Sequence, residues 1–464
     1  MYICTYQSPN VMNYSEILEK QKVFFKTHKT KDLSFRKEQL RKLKSVVQQN
    51  ETLLYEAIYK DFGKSEFDTY ATEIAFIYND LDYYVKNLRS LAKPKKVRTN
   101  IANQLGSSKI YNEPLGSCLV IGAWNYPFQL CFLPLIAAIA AGNTCVLKPS
   151  ELPENTMNVM AKIINENFNS EFLYVVKGGV EETTEILKLR FDKVFFTGSP
   201  KVGKIVYKAA AEHLTPVTLE LGGKSPVFVT ENADLKVAAR RIVWGKFMNA
   251  GQTCVAPDYV YVQENIKTEF LEKLTAEIKK RAYSETATHY CQIINERNFD
   301  RLEKMIDPKK VIIGGETNRE KRYIAPTVMD NVTWDDVVMQ EEIFGPILPI
   351  LSFQHLNEAV EKVTQGEKPL AAYIFSNQSD EQHLVLETLS FGGGCVNDIL
   401  MHLSNENLPF GGVGTSGIGN YHGKFGFEAF SHQKAVLKKS IYLEPEIKYP
   451  PYTAGKLKWL KKLM

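Results

Sequence analysis

Apolar runs alternate with helical stretches through the first half of the chain. Residues 129–141 are almost entirely apolar and predict a buried helix, and residues 155–168 predict a second helix. Apolar strands without polar breaks that alternate with helices are typical of a parallel sheet covered on both faces. We therefore predict a doubly wound α/β unit, with strands at residues 117–122, 144–148, 172–177 and 193–197.

A second alternation of the same kind begins near Gly222. Apolar runs at residues 225–230 and 259–263 predict strands, and helical patterns begin at Asp234 and Lys267. This alternation predicts a second α/β unit that extends to about residue 420.

The remaining segments have a different pattern. Residues 14–98 are helical in pattern and highly charged, and Ser34 is predicted to cap a helix that begins at Phe35. Residues 100–113 and 431–443 belong to neither α/β alternation. Each of these two segments is interpreted either as an arm that reaches a partner subunit or as part of a surface hairpin.

Composition and charge narrow the class of protein. The 464 residues are 44% hydrophobic, which is enough apolar material for more than one packed unit. The formal net charge of +4 is too small to imply a nucleic-acid partner. We expect neither a membrane-spanning run nor a signal peptide, and residues 1–11 are interpreted as a loose leader with Met12 as a candidate start. A cytoplasmic protein is the expectation.

The seven cysteines indicate unpaired thiols. Their number is odd, no CxxC motif occurs, and none lies at metal-ligand spacing with histidine. This pattern fits a reducing compartment and predicts no metal site. Cys118, Cys131 and Cys145 lie inside apolar runs and are interpreted as small buried side chains.

Cys254 and Glu220 are the candidate reactive side chains. Gly251 and Pro257 bracket Cys254 with turn residues, which predicts an accessible loop thiol, with one more buried thiol as the alternative. Glu220 ends an apolar run, where burial raises the pKa of a carboxyl group and suits it to act as a general base. The alternative is a carboxylate satisfied by the backbone of the two glycines that follow Leu221.

A glycine-containing turn at residues 195–203 follows a predicted strand and opens a helix. Its sequence is FFTGSPKVG, and the apolar face of the helix is predicted to include Val202, Ile205 and Val206. Free backbone N–H groups and the positive end of the helix make such a turn a candidate phosphate site. The alternative is an ordinary helix cap, because the turn lacks the GxGxxG fingerprint.

Seven motifs follow one another along the chain. They are WNYP (124–127), KPSE (148–151), FTGSPKVG (196–203), LELGGKSP (219–226), GQTC (251–254), EEIFGP (341–346) and LPFGGVGTSG (408–417). Together they resemble the aldehyde dehydrogenase superfamily, and CVAPDY, GGGCVNDILMH and YPPY are similar to its class 3 branch of fatty and aromatic aldehyde dehydrogenases. The resemblance implies NAD(P)-dependent oxidation of aldehydes to carboxylic acids.

The resemblance implies a role for each catalytic side chain. Cys254 matches the nucleophile, which forms a thiohemiacetal and then a thioester. Asn125 matches the side chain that binds the oxyanion together with the Cys254 backbone N–H. Glu220 matches the base that activates the hydrolytic water. Glu342 lies where class 3 enzymes place a carboxylate that is close enough to serve as a second base.

The resemblance also implies where a nicotinamide cofactor binds. Lys148 and Glu151 match the contacts to the adenosine ribose. The Glu151 carboxylate should repel a 2′-phosphate while Lys148 should attract it, so NAD is the expected cofactor and NADP the alternative. The other matched residues are Gly198, Ser199 and Gly203 at the phosphate turn, and Glu342 and Phe344 at the nicotinamide ribose.

The motifs and the α/β alternation together predict the domain organisation. Residues 12–99 and 114–221 form a Rossmann-type NAD(P)-binding domain, and residues 222–425 form an α/β catalytic domain. Residues 100–113 and 426–445 form a small bridging arm for oligomerisation. The class 3 resemblance implies a homodimer.

Residues 446–464 are predicted to form a basic amphipathic tail. The segment Lys456–Met464 contains four lysines and no acid, and Leu457, Leu460 and Met464 fall on one helical face. This pattern suits a helix at an anionic membrane surface, and long apolar aldehydes, including isoprenoid or carotenoid-derived ones, would then be expected substrates. The alternatives are a frayed tail or a helix docked on a partner subunit, because so short a helix is marginal alone.

Two other functions use some of the same features. An acyl-thioester or acyl-phosphate reductase needs the same cysteine and cofactor, but a hydrolytic base at Glu220 would destroy its acyl intermediate. A catalytically silent scaffold would have no reason to keep Cys254, Asn125, Glu220 and Glu342 together. Aldehyde oxidation is therefore the preferred hypothesis.

Overall fold

The computed structural model describes residues 13–442 and 444–463. The interpretation of residues 1–11 as a leader and of Met12 as a start lies outside the described residues, as do Leu443 and Met464. The helices, in chain order, are α1 (Tyr14–Lys26), α2 (Leu33–Gln49), α3 (Glu51–Phe62), α4 (Glu66–Thr69), α5 (Ala75–Ala92), α6 (Gln129–Ala141), α7 (Glu154–Asn165), α8 (Val180–Leu187), α9 (Pro200–Ala211), α10 (Leu235–Phe247), α11 (Lys267–Arg281), α12 (Glu296–Glu303), α13 (Val337–Gln340), α14 (Leu356–Thr364), α15 (Ser379–Thr388), α16 (Gly423–Ala429) and α17 (Ala454–Leu463).

The strands form four sheets in the described part of the chain. Their bounds, in chain order, are β1 (Lys95–Val97), β2 (Ser107–Pro114), β3 (Ser117–Ile121), β4 (Thr144–Lys148), β5 (Leu173–Val175), β6 (Lys193–Thr197), β7 (Val217–Glu220), β8 (Pro226–Val229), β9 (Tyr259–Gln263), β10 (Val311–Ile313), β11 (Thr317–Asn318), β12 (Tyr323–Ile324), β13 (Thr327–Met329), β14 (Ile347–Phe353), β15 (Ala371–Phe375), β16 (Gly393–Val396), β17 (Gly417–Ile418) and β18 (Ser431–Lys438).

The first large sheet has the strand order β17-β7-β6-β3-β4-β5, counted over the described residues. Its strands are parallel except β17, which runs antiparallel to β7. The doubly wound α/β unit predicted from the apolar runs is confirmed. The strand predicted at residues 172–177 is shorter than expected and comprises only Leu173–Val175.

The second large sheet has the order β10-β13-β14-β9-β8-β15-β16 within the same described ranges. Its strands are parallel apart from β10, which pairs antiparallel with β13. The second α/β unit predicted after Gly222 is therefore confirmed. The chain then returns to the first sheet, because β17 pairs with β7 and α16 packs on α6.

A small antiparallel sheet joins the two segments that fitted neither alternation. β2 lies between β1 and β18, and it pairs with β18 over the eight residues Ser107–Pro114. β1 and β2 form a hairpin, which agrees with the surface-hairpin interpretation for part of residues 100–113, while the interpretation as an arm that reaches a partner subunit stays a prediction. The strand predicted at residues 431–443 ends at Lys438, and most of it is exposed.

Helix α6 forms the centre of the packing beneath the first sheet. Every one of its residues from Gln129 to Ala141 is buried, including Pro134 inside the helix. A proline in a helix interior costs roughly 3 kcal/mol. Burial of each large aliphatic side chain contributes about 1.5–3 kcal/mol, so the packing of this apolar helix offsets that cost.

Helix α2 begins earlier than the sequence suggested. Asp32, not Ser34, is its N-cap, and one Asp32 carboxylate oxygen accepts hydrogen bonds from the backbone N–H groups of Ser34 and Phe35. The prediction of Ser34 as the cap was wrong because an ionised carboxylate is a stronger acceptor than a hydroxyl group. No helix within the described ranges is both long enough and apolar enough to cross a bilayer.

Candidate active site

The loop that carries Cys254 lies between α10 and β9 and has an unusual backbone. Asn249, Ala250 and Gly251 are consecutive residues in the left-handed region, with φ of 52°, 51° and 73°. L-residues with side chains adopt this region at a cost of roughly 1–2 kcal/mol each. A Cβ at Gly251 would lie 2.2 Å from the Gly345 carbonyl oxygen, so glycine is required there. The strained turn places Cys254 at the tip of the loop, where it is partly exposed.

Amide side chains hold this loop in place. The Gln252 side chain accepts a hydrogen bond from the Ile294 N–H at 2.9 Å and donates to the Gln292 carbonyl at 3.0 Å. The Asn249 amide donates to the carbonyls of Asn125 and Gln252, at 2.9 and 3.1 Å. These buried hydrogen bonds therefore offset the backbone strain of the loop.

Asn125 lies directly beside this loop. It is 2% exposed, and its Nδ2 donates to the Gln252 carbonyl oxygen at 3.0 Å. A primary amide has two N–H bonds, so one remains available after that contact. The backbone N–H groups of Cys254 and Val255 point at the Cys254 sulfur, where they lower the pKa of the thiol. The Cys254 loop thus has backbone N–H donors at its sulfur, and the Asn125 amide is bonded to the same loop.

Glu220 is the last residue of β7 and is 3% exposed. Neither of its carboxyl oxygens has a hydrogen-bond partner in the described chain. Burial raises the pKa of Glu220 well above its ordinary value. The alternative that the following glycines satisfy this carboxylate is therefore wrong. A buried and unpaired carboxyl group is suited to exchange a proton near neutral pH.

Glu342 lies on the loop between α13 and β14. Burial and the charge of Asp258 raise its pKa to about 8, while the Gly223 N–H donates to its carboxylate and opposes that shift. A Cβ at Gly222 would lie 2.0 Å from Glu342 Oε2, so only glycine fits beside it. The sequence LELGG therefore supplies the space that the second carboxylate occupies.

The two carboxylates and the thiol form one electrostatic group. Burial raises the pKa of Cys254 most, and the charges of Glu342 and Glu220 raise it further. The three side chains that the sequence predicted from separate motifs are thus brought together. Both negative charges and burial therefore favour the protonated form of the Cys254 thiol.

Three charged residues that the sequence reasoning missed hold the loop of Glu342. Lys224 donates to Asp258 and to the Glu341 carbonyl, and Asp258 accepts from the Ile343 N–H at 2.9 Å. Arg301 on α12 donates to the Ile343 carbonyl at 2.6 Å. Lys224 and Asp258 lie inside quoted motifs, but their pairing depends on contacts between distant segments and leaves no local signal.

Phe344 follows Glu342 with a left-handed backbone, at φ 49°. Its ring meets the ring of Trp124 edge-on, with centroids 5.2 Å apart. Because Trp124 precedes Asn125, the loop of Glu342 packs against the segment that carries the amide donor. Phe344 therefore links the loop of Glu342 to the segment of Asn125.

The predicted phosphate turn joins β6 to α9. Ser199 is the N-cap of α9, accepting the Val202 N–H at 3.4 Å, and Pro200 occupies the first helical position. A Cβ at Gly203 would lie 2.7 Å from Leu221, so glycine allows the helix to pack closely on the sheet. The N-cap and the phosphate interpretations are compatible, because the first helical N–H groups remain at the positive end of the helix.

Lys148 and Glu151 lie near this turn. Lys148 is buried, and its ammonium group donates to the carbonyls of Pro149 and Gly178 at 2.7 and 2.6 Å. Burial lowers the pKa of Lys148, and the charge of Glu151 opposes that shift. Glu151 itself is exposed. An ammonium group with one free N–H beside an exposed carboxylate fits a ribose with two hydroxyl groups.

Exposed apolar side chains flank the turn, and the sequence reasoning misassigned two of them. Val202 and Ile205 on α9 were predicted on the packed face, but they are 41% and 55% exposed, while Val206 is buried. Val180 on the neighbouring α8 is 76% exposed. These side chains leave apolar surface exposed on α8 and α9. The residues present could hold a dinucleotide cofactor, with its phosphates at the Gly198–Ser199 turn.

The fold brings a thiol, an amide and two carboxyl groups together at one site. The sequence profile of the aldehyde dehydrogenase family matches residues 1–436. The chain is 48% identical to 4,4′-diaponeurosporen-aldehyde dehydrogenase of Staphylococcus aureus, over 95% of this chain and 96% of that protein. It is 45% identical to the dimeric NADP-preferring aldehyde dehydrogenase of Mus musculus, over 95% of this chain and 98% of that protein.

Structural comparison agrees with the sequence comparisons. A solved structure of the substrate-bound state of Staphylococcus aureus AldH superposes with a TM-score of 0.95 and 47% identity, covering 97% of this chain and 99% of that one. The chain belongs to the aldehyde dehydrogenase family. It is an oxidoreductase that oxidises aldehydes with NAD(P), as the motifs predicted.

Proposed function

We propose that Cys254, Asn125 and Glu220 perform the aldehyde oxidation. The observation that carries the proposal is their convergence: one loop thiol has fixed N–H donors beside it and an unpaired buried carboxyl group within electrostatic reach. The Cys254 thiolate attacks the carbonyl carbon, and the Asn125 amide and the Cys254 N–H hold the resulting oxyanion. One such donor contributes on the order of 3 kcal/mol to transition-state stabilisation.

The second half of the reaction uses Glu220. When bound, NAD(P) supplies the acceptor for the hydride that leaves the carbon attached to Cys254. Loss of this hydride converts the thiohemiacetal on Cys254 into a thioester. Glu220 removes a proton from water as the water oxygen attacks the thioester carbon. The carbon–sulfur bond then breaks, the proton held by Glu220 passes to the sulfur, and the carboxylic acid leaves, which restores the thiol and the Glu220 carboxylate. Glu342 is a second carboxylate within electrostatic reach of the same sulfur, and we propose it as an auxiliary base.

We propose that seven residues hold the cofactor, with NAD preferred over NADP. Glu151 is exposed and would repel a 2′-phosphate. Two of the three N–H bonds of Lys148 already face backbone carbonyls, which limits its ability to pair with that phosphate. A Glu151→Gln variant should raise kcat/KM with NADP relative to NAD. The seven residues are Lys148, Glu151, Gly198, Ser199, Gly203, Glu342 and Phe344.

We propose long apolar aldehydes as substrates, of aliphatic, aromatic or isoprenoid and carotenoid-derived type. The relative from Staphylococcus aureus is named for a carotenoid-derived aldehyde. The test is a series of aldehydes of increasing length offered to the purified enzyme, with NADH followed by absorbance and Cys254→Ser as control. Turnover that rises with chain length supports the proposal. Reduction of acyl thioesters without aldehyde oxidation would contradict it.

We further propose a cytoplasmic homodimer with the predicted domain division. A relative is named as dimeric, and the exposed strand β18 offers an edge for a partner subunit. Light scattering after gel filtration measures the assembly.

We propose that helix α17 contacts anionic membranes, since Leu457 and Trp459 are 53% and 64% exposed beside several lysines. Co-sedimentation with phosphatidylglycerol vesicles, compared with phosphatidylcholine vesicles, tests the contact.

A further inference from the structure

A fully buried ion pair lies behind the segment that carries Asn125. Lys64 and Glu73 are 2% and 0% exposed, and Lys64 Nζ lies 2.8 Å from Glu73 Oε1. Neither residue belongs to a motif that the function used. Removing two charges from water costs much of what their attraction returns, so a buried pair is weak evidence for stabilisation alone. The contacts around this pair indicate a more specific role.

Glu73 holds the beginning of helix α6. Its second carboxylate oxygen accepts hydrogen bonds from the N–H groups of Phe128 and Gln129, at 2.8 and 3.3 Å. A carboxylate at the N-terminus of a helix satisfies free N–H groups and interacts favourably with the helix dipole. Glu73 lies in a π-helical turn, Tyr70–Ile74, and such turns recur at functional sites. Glu73 thus fixes the chain immediately after Asn125.

Lys64 contacts the residue that follows Asn125. Its ammonium group lies 4.4 Å from the centre of the Tyr126 ring, within the range of a cation–π interaction. The Tyr126 hydroxyl group forms a 2.6 Å hydrogen bond with Thr253 Oγ1, next to Cys254. The ion pair therefore contacts the chain from Tyr126 to Gln129 and, through Tyr126, reaches the nucleophile loop.

We propose that Lys64 and Glu73 are positioning residues that fix the segment 125–129, so that the Asn125 amide is aimed at an oxygen on the carbon bound to Cys254. The inference rests on the proposed role of Asn125. A displacement of about 1 Å at a reacting group costs up to roughly 10²-fold in rate. Neutralising the pair should therefore slow reactions that form an oxyanion and spare reactions of the same thiol that form none.

Two reactions of Cys254 that need no cofactor separate these effects. Acylation by p-nitrophenyl acetate passes through a tetrahedral oxyanion, whereas alkylation by iodoacetamide displaces iodide and forms no oxyanion. Rates measured with Cys254→Ser are subtracted from both. For Glu73→Gln, which keeps the side-chain shape, we expect acylation to fall roughly tenfold and alkylation to change less than about twofold. The matched control Asp330→Asn disrupts the ion pair with Lys267 and should change neither rate.

Further variants guard against a trivial loss of folding. The double variant Lys64→Met with Glu73→Gln leaves no lone buried charge and should fold, with the same selective loss of acylation. In an Asn125→Ala background, Glu73→Gln should add little, because the aimed group is absent. Parallel loss of both reactions, or full additivity with Asn125→Ala, would overturn the positioning role. If Asn125→Ala itself leaves acylation unchanged, the proposed role of Asn125 fails instead.

Discussion

The two sides of Cys254 are built in opposite ways. On one side, Asn125, Asn249 and Gln252 are buried amides whose groups bond to one another and to the backbone. On the other side, Glu220 is equally buried, and neither of its oxygens has a hydrogen-bond partner among the residues described. The site thus combines amide side chains held by hydrogen bonds with a carboxyl group that has no hydrogen-bond partner among the described residues.

The difference follows from what each side must do. An amide that stabilises a developing oxyanion acts best when it is already oriented, because no reorganisation is then needed during the reaction. A base must take up and release a proton and reach a water molecule, so fixed partners would oppose its work. Leaving a carboxyl group unpaired in the interior destabilises the fold. At Glu220 the same burial raises the pKa of the carboxyl group, which suits it to act as a base.

Replacing the nucleophile tests both sides at once and should have the largest effect. Cys254→Ser should lower kcat for aldehyde oxidation on the order of 10⁴-fold or more, since a hydroxyl group is far less acidic than a thiol. NADH absorbance and the absence of an initial burst are the measurements. A variant that kept a tenth of the activity would place the nucleophile elsewhere.

Removing the Asn125 amide, on the hydrogen-bonded side of Cys254, should slow acylation. Asn125→Ala should lower kcat roughly 10²- to 10³-fold through loss of one oxyanion donor. The pre-steady-state burst of NADH, followed by stopped flow, should slow by a similar factor. Circular dichroism controls for folding. A normal burst with a slow steady state would assign Asn125 to hydrolysis instead.

Removing the unpaired Glu220 carboxylate should slow only hydrolysis of the thioester. Glu220→Gln should keep a rapid first turnover of NADH while the steady-state rate falls on the order of 10²-fold, the usual contribution of a general base. The thioester should then accumulate and be detectable by mass spectrometry of the acid-quenched enzyme. Loss of the burst would show that Glu220 acts before the thioester forms.

Removing the charge of Glu342 should have the smallest effect, a change in the reactivity of Cys254 that depends on pH. Its pKa is raised to about 8, so it is neutral below that pH and charged above it. When charged, it raises the pKa of the Cys254 thiol. Glu342→Gln should therefore speed alkylation of Cys254 by a few-fold above about pH 8 and change it little below. A uniform change at every pH would point to altered access rather than to charge.

Much of the fold could be predicted because the apolar runs that indicate its strands are local sequence patterns. β3, β4, β6 and β9 agree with the predicted strands to within a residue, since buried parallel strands are continuous apolar runs. The N-cap of α2 was not predicted correctly, because the Asp32 carboxylate, two residues before Ser34, accepts the first free N–H groups of the helix. Boundaries of short elements such as β5 depend on the neighbouring strand rather than on their own residues.

The sequence predicted the reactive side chains of the candidate site, but it did not predict the residues that hold them in position. Cys254, Glu220 and Asn125 lie in short sequence patterns, and the structure brings them together. The exposure of Ile205 had no local signal, because helical periodicity cannot tell a packed apolar face from a face open to a ligand. The role of Glu73 likewise depends on a contact with α6, which no local pattern reveals.

The return of the chain to its first sheet determines when during synthesis the site can be completed. Glu220 lies on β7, and the edge of that strand is covered by β17, where Gly417 pairs with Glu220 itself. Pairing across so large a separation in sequence carries a high loop-closure cost and is a late event in folding. A nascent chain in which Cys254 has already left the ribosome still lacks the strand beside Glu220. The site can therefore be completed only after Gly417 and Ile418 have been synthesised.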